Sequence, residues 1–293
     1  MALISSKPLG TLIRVADSDG GNGAANYEIA DINNLVPGGV VLVRKNIYSS
    51  SAFGSTTNYP DGTLDNPIKT TIYNKMPQQL RDKMMDVTFN LSGSGDITRK
   101  MFAPTYTMVG FGNNSGVAEG KALQLYTSNA SRIKTLNGSA AFWWLSSRYS
   151  SDYAWGVSSG GSADYSIPSG PYGVVPAFTI PQSVMLEDST NTDGSYSIKY
   201  TEKISCTVNM GSAEEQPKAA LPIISCNGNL TLKICNNAND TSPAWETAAN
   251  ETVHNFANTA KTAAQWAIGL KIDITRTAGE SLFLSEPVVL AMK

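Results

Sequence analysis

The chain has 293 residues, of which 41% are hydrophobic and 16% are charged, and its formal net charge is -2. That length suits two domains, and low charge combined with many Ser, Thr, Asn and Gly residues is typical of β-rich surface proteins. The nearly neutral charge, with Lys and Arg scattered along the chain, excludes the basic surface expected of a nucleic-acid-binding protein and indicates no affinity for anionic membranes.

The first predicted elements are two short strands, at residues 10–15 and 39–44. The second is a continuous apolar run, which is typical of a strand buried on both faces. Between them, residues 17–23 are predicted to form a glycine-rich turn. Their Asp-x-Asp-Gly pattern also fits the start of a calcium loop, but the bidentate carboxylate that completes such a loop is absent.

A two-part helix is predicted next. Asn66 is a candidate N-cap, and Pro67 suits the first helical position. Pro77 is expected to break the helix, which restarts over residues 78–85. The apolar residues spaced along one face are Ile68, Ile72, Met76, Leu80 and Met84. Further strands are predicted around residues 87–91, 100–108 and 121–126.

The most informative stretch is residues 141–180. It begins with an aromatic entry at residues 142–145, and it returns to an apolar strand at residues 173–178. Between these anchors, residues 146–170 consist mainly of Ser, Gly, Tyr, Asp and Ala. Tyr and Trp give large contact area at low entropic cost, while Ser and Gly adapt their hydrogen bonding, so this composition predicts a binding surface. It lacks the converging titratable groups of a catalytic pocket.

Six residues of this stretch are candidate ligand contacts. Tyr153 and Trp155 share one face of an extended strand, so two interpretations remain open for them: an exposed aromatic patch, or packing in the core. Neighbouring residues of a strand point to opposite faces, so one of Trp143 and Trp144 is expected in the core, leaving the other to support the hairpin. The six candidates are Tyr149, Asp152, Tyr153, Trp155, Asp164 and Tyr165.

The last third is predicted to be a separate β domain. Residues 182–195 are polar and aperiodic, which predicts a linker. Strands are predicted at residues 196–208, 219–226, 230–235, 264–274 and 281–292, and their spacing favours a β-sandwich over residues 195–293. Asn227 and Gly228 indicate a tight hairpin turn.

No constellation of catalytic or metal-ligating residues is recognisable. The three cysteines, all in the last third, are interpreted as buried free thiols, with a bridge between Cys226 and Cys235 as the alternative. His254 is the only histidine, and a single histidine is more often a satisfied structural residue than a catalytic one. We therefore expect no enzymatic activity, no cofactor and no metal. The chain shows neither a signal peptide nor a membrane span, so synthesis in a cytoplasm is expected.

Residues 1–185 resemble a known family through the order of their landmarks. After the two-part helix, Trp143–Trp144–Leu145–Ser146–Ser147 and Gly173–Val174–Val175–Pro176–Ala177 bracket a hairpin of Ser, Gly and aromatic residues. This is similar to the C-type-lectin-like domains related to formylglycine-generating enzymes, as found in phage and gut-bacterial surface proteins. Val175 replaces the arginine that is usual in the second motif. Residues 1–185 contain no cysteine, which excludes the thiol chemistry of the enzymatic relatives, and the calcium motifs of sugar-binding relatives are absent.

The resemblance implies a β-rich α+β protein, with a C-type-lectin-like display domain over residues 1–185 and an all-β sandwich over residues 195–293. It implies a non-enzymatic protein of the phage virion surface, made in the host cytoplasm, whose hairpin binds a host cell-surface carbohydrate or protein. The alternative is a structural capsid or tail decoration protein that mainly contacts other virion subunits. We expect a homo-oligomer, with a trimer favoured, and neither nucleic acid nor membrane insertion.

Overall fold

A computed structural model describes residues 2–16, 24–277 and 284–292. The predicted turn at residues 17–23 and the start of the strand predicted at residues 281–292 lie outside these ranges. Strands make up 44% and helices 8%, so the β-rich class is confirmed. The chain divides into two compact units, Met1–Lys199 and Tyr200–Lys293.

The first unit contains two large sheets and two separate hairpins. One sheet has eight strands in the order β1-β16-β17-β2-β3-β4-β15-β8, and the other has five in the order β13-β12-β11-β14-β5. The hairpins are β6-β7 and β9-β10. The strands of this unit are β1 Ala2–Leu3, β2 Leu12–Val15, β3 Ala25–Ile32, β4 Gly39–Arg44, β5 Ser49–Ser51, β6 Val87–Leu91, β7 Gly95–Arg99, β8 Met101–Phe102, β9 Lys134–Leu136, β10 Ser139–Ala141, β11 Trp143–Arg148, β12 Ala154–Val157, β13 Ala163–Ser166, β14 Tyr172–Val174, β15 Ala177–Pro181, β16 Met185–Thr190 and β17 Tyr196–Ile198.

The core of this unit forms where the apolar runs predicted it. Strand β4 is buried along its whole length between β3 and β15, as expected for a continuous run of Val and Leu. The predicted helix is present, as a π-helical turn Pro67–Ile72 that continues into α1 Tyr73–Lys75 and is followed by α2 Gln78–Arg81. A 3-10 turn Ile4–Ser6 and α3 Asn129–Arg132 complete the described helices. The whole predicted apolar stripe is buried, namely Ile68, Ile72, Met76, Leu80 and Met84.

Asn66 does not cap this helix. Its backbone is itself helical, with φ -56° and ψ -50°, and its side chain makes no capping bond. The side-chain amide instead donates to the carbonyl oxygen of Asp61 at 2.7 Å. The N-cap prediction was therefore wrong, because a cap residue needs an extended backbone that leaves its side chain free to accept from the first turn.

Two predicted strands are mostly absent. Of residues 100–108 only Met101–Phe102 is a strand, and residues 121–126 contain no strand. Residues 103–120 fold as a turn-rich loop, in which the hydroxyl of Thr105 donates to the carbonyl oxygen of Glu119. This loop needs the left-handed backbone that glycine adopts at low cost. Its glycines with positive φ are Gly110, Gly112, Gly116 and Gly120.

The predicted linker at residues 182–195 is also wrong. Strand β16 occupies Met185–Thr190 of it and pairs with β1 and β17. Leu186 is buried, whereas residues 187–190 are exposed and polar. The polar composition of this segment reflects its exposed side chains. It carries no information about the backbone pairing, which makes the segment part of the first unit.

In the second unit the described residues form strands and loops only. One sheet has the order β18-β23-β20-β21, the other β22-β19-β24. Buried residues of both sheets share one apolar cluster, which includes Ala220, Leu232 and Leu270. The strands are β18 Thr201–Ala213, β19 Ala219–Ile223, β20 Asn229–Cys235, β21 Glu246–Ala248, β22 His254–Asn255, β23 Trp266–Thr277 and β24 Val288–Met292.

Asn227 and Gly228 do not form the predicted hairpin. They connect β19 to β20, and these strands lie in different sheets. The turn signal was local, whereas strand partners are set by which apolar faces the core buries. All three cysteines are free; Cys235 is buried, and Cys206 and Cys226 are partly buried against the apolar cluster.

Candidate functional site

The predicted display segment forms three adjacent strands, β11, β12 and β13. Trp144 pairs with Gly156 across β11 and β12, and Trp155 pairs with Tyr165 across β12 and β13. A tight turn joins the first two strands, where the carbonyl oxygen of Tyr153 accepts from the backbone N–H of Tyr149 at 3.0 Å. This turn places side chains that follow β11 beside those of β12.

Six aromatic side chains meet at this end of the sheet, and four of them were predicted site residues. We call this group the aromatic patch. The two additional members, Tyr106 and Phe111, come from the turn-rich loop that precedes residue 120. The patch consists of Tyr106, Phe111, Tyr149, Tyr153, Trp155 and Tyr165.

The rings of the aromatic patch touch one another in a continuous arrangement. Tyr149 stacks on Tyr165 with ring centroids 4.2 Å apart and an interplanar angle of 13°. Trp155 meets Tyr149 edge-on at 4.6 Å and lies against Tyr106 at 4.5 Å. Tyr153 meets Tyr165 at 5.4 Å. Offset and edge-to-face pairs of this kind stabilise each other by about 0.5–1.5 kcal/mol per pair.

The outer rings are exposed although the group is well packed. The exposed fractions are 42% for Tyr149, 38% for Tyr153 and 46% for Tyr165. Trp155 is half-buried, so it connects the exposed rings to the protein. Of the two residues whose interpretation was open, Tyr153 lies exposed at the surface, whereas half-buried Trp155 packs against Tyr106 and also contacts the exposed rings. Contiguous exposed apolar patches of this kind mark interaction sites on soluble proteins.

Trp143 and Trp144 both belong to the core, not just one of them. Each has no exposed surface. The indole N–H of Trp143 donates to the carbonyl oxygen of Arg132, and that of Trp144 donates to Ser51, each at 3.0 Å. Both faces of β11 are therefore covered by protein, and the strand is a rigid anchor for the hairpin.

The two predicted carboxylates occupy different positions. Asp152 lies exposed on the turn between β11 and β12, where it accepts from the hydroxyl of Ser151 at 3.0 Å. Asp164 pairs with Gly156 and so points to the opposite face from Tyr165. It accepts from the backbone N–H of Tyr165 at 2.8 Å. The structure therefore does not bring Asp164 into the aromatic patch. The Asp164 side chain instead covers a backbone donor of β13, which is an edge strand of the sheet.

A buried polar network behind the aromatic patch was not predicted. The indole N–H of Trp155 donates to the side-chain oxygen of Asn114 at 3.1 Å. The Asn114 amide donates in turn to Glu119 at 3.0 Å. Glu119 has no exposed surface, and it also accepts from Ser147 and, at 2.9 Å, from the backbone of Ser92. Ser92, Ser147 and Trp155 are far from Glu119 in sequence, so no spacing revealed the network. A carboxylate within a Gly-rich and Asn-rich loop was the only signal.

The loop that supplies Asn114 turns sharply at Ser115 and Gly116. Their φ angles are 49° and 81°. Asn114 and Val117 exchange both backbone hydrogen bonds, each of 2.9 Å. This is the geometry of a type I′ turn, in which Asn-Gly is the preferred pair. Ser115 therefore holds a left-handed backbone that costs a serine more than an asparagine or glycine.

Ser115→Asn is expected to raise the free energy of unfolding by about 0.5–1 kcal/mol, because asparagine tolerates the left-handed region better. Denaturant unfolding of the full chain measures the change. Gly116→Ala is the matched control. A Cβ at Gly116 meets no atom within 4 Å, so only backbone strain acts there, and a loss of about 1 kcal/mol is expected. Equal stability of Ser115→Asn and wild type would contradict the assigned turn.

His254 is held by a neighbouring carboxylate in the second unit. Its Nε2 lies 2.9 Å from Glu246, which also accepts from the backbone N–H groups of Ala257 and Asn258. Within the described contacts, no hydroxyl or thiol approaches the imidazole. Three or more His, Cys, Asp or Glu side chains do not converge as a metal site anywhere in residues 2–16, 24–277 and 284–292. In the same residues, no helix has the length and apolar character to cross a membrane.

A polar pocket of about 470 Å³ lies elsewhere in the first unit. Arg44 and Lys45 line it, but both cations already donate to protein acceptors. Arg44 donates to the carbonyl oxygens of Asn46 and Ile47 at 2.9 Å, and Lys45 pairs with Glu28 at 2.6 Å. We therefore place the candidate site at the aromatic patch.

Residues 38–182 match a domain family that is described as a domain of unknown function, DUF6273. The matched region begins one residue before β4 and ends one residue after β15, so it contains the aromatic patch and the network behind it. No curated protein and no solved structure matches the chain.

Proposed function

We propose that this chain is a non-enzymatic recognition protein of a phage virion surface, and that its aromatic patch binds a carbohydrate or protein on the host cell. One observation carries the proposal: three exposed tyrosines surround a half-buried tryptophan on a rigid sheet. Tyr and Trp supply large contact area with few rotatable bonds, and they dominate the binding energy of many interfaces.

The proposed fold of the first unit is the C-type-lectin-like fold of domains related to formylglycine-generating enzymes. The two sequence motifs that suggest it are neighbours in space. The first forms β11, and the second runs from β14 into β15. Strands β11 and β14 are parallel neighbours, with Trp143 paired to Gly173. This pairing supports the proposal, since the motifs bracket the hairpin that carries the aromatic patch.

Decoration of a capsid or tail is the second candidate function. In the second unit, β24 pairs only with β19 among the described strands and exposes Val288, Leu290 and Met292. Ile223 of β19 pairs with Val288 and is also exposed. Apolar edge strands favour contacts with other subunits, so we propose that the chain forms a homo-oligomer, with a trimer favoured. We also propose that the second unit is a β-sandwich.

The double variant Tyr149→Ala/Tyr165→Ala is expected to bind host surfaces at least about 30-fold more weakly, which corresponds to about 2 kcal/mol, the loss expected at a hot spot. The fluorescently labelled full chain is applied to a glycan array and to a panel of intact bacteria. Tyr73→Ala is the matched control, because Tyr73 is a partly exposed tyrosine of the same unit outside the patch.

Unchanged binding in the double variant, or equal losses in the double variant and the control, would contradict recognition through the patch. Absence of binding by the wild-type chain to every array and cell surface would favour decoration. Retained binding by the control and loss in the double variant supports the proposal.

A further inference from the structure

The buried network behind the aromatic patch has a single centre, the carboxylate of Glu119. We infer that Glu119, acting through Asn114 and Ser147, is the positioning residue of the aromatic patch and fixes Trp155 and Tyr106 in their places before a ligand arrives. The role of this positioning in ligand binding rests on the proposed function. The positioning itself is a property of the free protein.

The first branch runs from Glu119 through Asn114 to Trp155. The Asn114 side-chain nitrogen donates to Glu119 at 3.0 Å and to the carbonyl oxygen of Arg148 at 2.9 Å. Both of these partners are acceptors only, so the nitrogen of the amide must face them. The Asn114 oxygen consequently points away, where it accepts from the indole N–H of Trp155 at 3.1 Å. Glu119 thereby fixes the orientation of the amide that holds the indole.

The second branch runs from Glu119 through Ser147 to Tyr106. The hydroxyl of Ser147 donates its only proton to the other carboxylate oxygen of Glu119. Its lone pairs remain for the backbone N–H of Tyr106, which donates to it at 2.7 Å. The ring of Tyr106 in turn lies against Trp155 with centroids 4.5 Å apart. Both branches thus end at the same indole, one at its N–H and the other at its face.

A carboxylate supplies an acceptor to both branches at once. Each of its oxygens accepts, whereas the amide of glutamine has one oxygen and one nitrogen that donates. A glutamine at position 119 therefore either opposes a donor to the Asn114 amide or turns its nitrogen to Ser147, whose hydroxyl must then accept and loses the carboxylate as acceptor for its own proton; either arrangement weakens the network. The carboxylate is fully buried, and within the described residues no Lys or Arg forms an ion pair with it. Burial of such a charge is costly, and its three donors offset that cost.

Fixed rings give this arrangement its value for recognition. Side chains that are already held in the bound position lose little freedom on contact, so more of the contact energy appears as affinity. Trp155 is the only member of the aromatic patch that both contacts the exposed tyrosines and bonds to the network. Loss of its anchor is therefore expected to reach Tyr149 and Tyr165 through ring contacts.

The test uses the full chain labelled with ¹⁵N at tryptophan. The chain has five tryptophans, so five indole N–H signals are expected, and Trp155→Phe assigns one of them. Glu119→Gln is expected to shift the Trp155 signal and to speed its exchange with D₂O. The Trp143 and Trp144 signals serve as internal references, because their N–H groups donate to Arg132 and Ser51. General destabilisation of the unit would speed the exchange of all three indole N–H groups and not that of Trp155 alone.

Asp31→Asn is the matched control variant. Asp31 is another fully buried carboxylate of the first unit, and it accepts from the backbone N–H of Leu35 at 2.7 Å. The same change from carboxylate to amide there is expected to leave the Trp155 signal in place. An unchanged Trp155 signal in folded Glu119→Gln protein, or an equal shift in the control, overturns the inference.

Asn114→Ala decides the question if Glu119→Gln does not fold. It removes the acceptor of the indole and leaves the carboxylate in place, so a shifted and faster-exchanging Trp155 signal supports the inference, and an unchanged signal overturns it. All these readouts are taken without ligand. Failure of the positioning inference is therefore visible in the indole spectrum, and failure of the proposed function is visible only in the binding assays.

Discussion

Trp155→Ala is expected to destabilise the first unit by about 2–3 kcal/mol and to abolish recognition, because a half-buried indole is removed together with its ring contacts. The truncation also leaves the Asn114 oxygen without its donor, and an unpaired buried acceptor costs about 1–3 kcal/mol by itself. Denaturant unfolding measures the stability, and the glycan and cell assays measure the binding.

Tyr153→Ala separates binding from folding at the same site. Tyr153 is 38% exposed, and the structure shows no bond from its hydroxyl to another described residue. Its loss is expected to change stability by less than about 1 kcal/mol, since only ring contacts at the surface disappear. If Tyr153→Ala destabilises the chain as strongly as Trp155→Ala, the outer tyrosines serve the fold and the recognition proposal loses its main support.

Glu28→Gln is expected to lower the free energy of unfolding by about 3–5 kcal/mol, because it leaves a buried ammonium without its counter-ion. The Nζ atom of Lys134 lies 2.6 Å from Glu28, and the Lys134 side chain has no exposed surface. Lys45 contacts the other oxygen of the same carboxylate at 2.6 Å, but its side chain is 47% exposed. The loss therefore arises mainly at Lys134.

The pH dependence of this variant has a defined sign. Burial lowers the pKa of Lys134 below its ordinary value, and Glu28 opposes that shift. The unfolded chain thus binds more protons than the folded chain as the pH approaches about 10.4, and stability rises with pH in that window. Removal of Glu28 lowers the folded-state pKa of Lys134 further. The difference in unfolding free energy between wild type and Glu28→Gln should therefore shrink as the pH rises toward the ordinary pKa of lysine.

Glu28→Gln/Lys134→Met is the control for this prediction. An apolar side chain of similar length removes the uncompensated charge, so much of the lost stability is expected to return. Thermal and denaturant unfolding at two pH values check both statements. A double variant as unstable as the single variant, or a deficit that grows with pH, would contradict this account of the pair.

Those parts of the fold that depend on burial of apolar side chains were predictable from sequence. The run at residues 39–44 and the stripe from Ile68 to Met84 are buried as predicted, because a chain of this composition has few other ways to cover them. The prediction failed where backbone pairing or side-chain polarity decided the structure. Residues 185–190 form a strand with exposed polar side chains, and Asn66 donates where a cap residue accepts.

The candidate site was predictable in part for the same reason. The composition of the hairpin identified four residues that the structure brings together. A polar hairpin has no core of its own, so its large rings pack against one another. These residues are Tyr149, Tyr153, Trp155 and Tyr165. The composition did not separate Asp164 from Tyr165, because no strand was predicted at residues 163–166 and the alternation of neighbouring side chains was therefore not applied there. Nor could it identify Glu119, because two of its hydrogen-bond partners, Ser92 and Ser147, come from distant parts of the chain.

The pairing of β16 has a consequence for the first unit as a portable module. Ala2 of β1 and Ile198 of β17 both pair with Leu186, on its two sides. Adjacent strands are about 4.8 Å apart, so the two ends of the unit lie only about 10 Å from each other. A few residues suffice to join them, which makes the unit suited to circular permutation and to insertion as a whole into one surface loop of another protein.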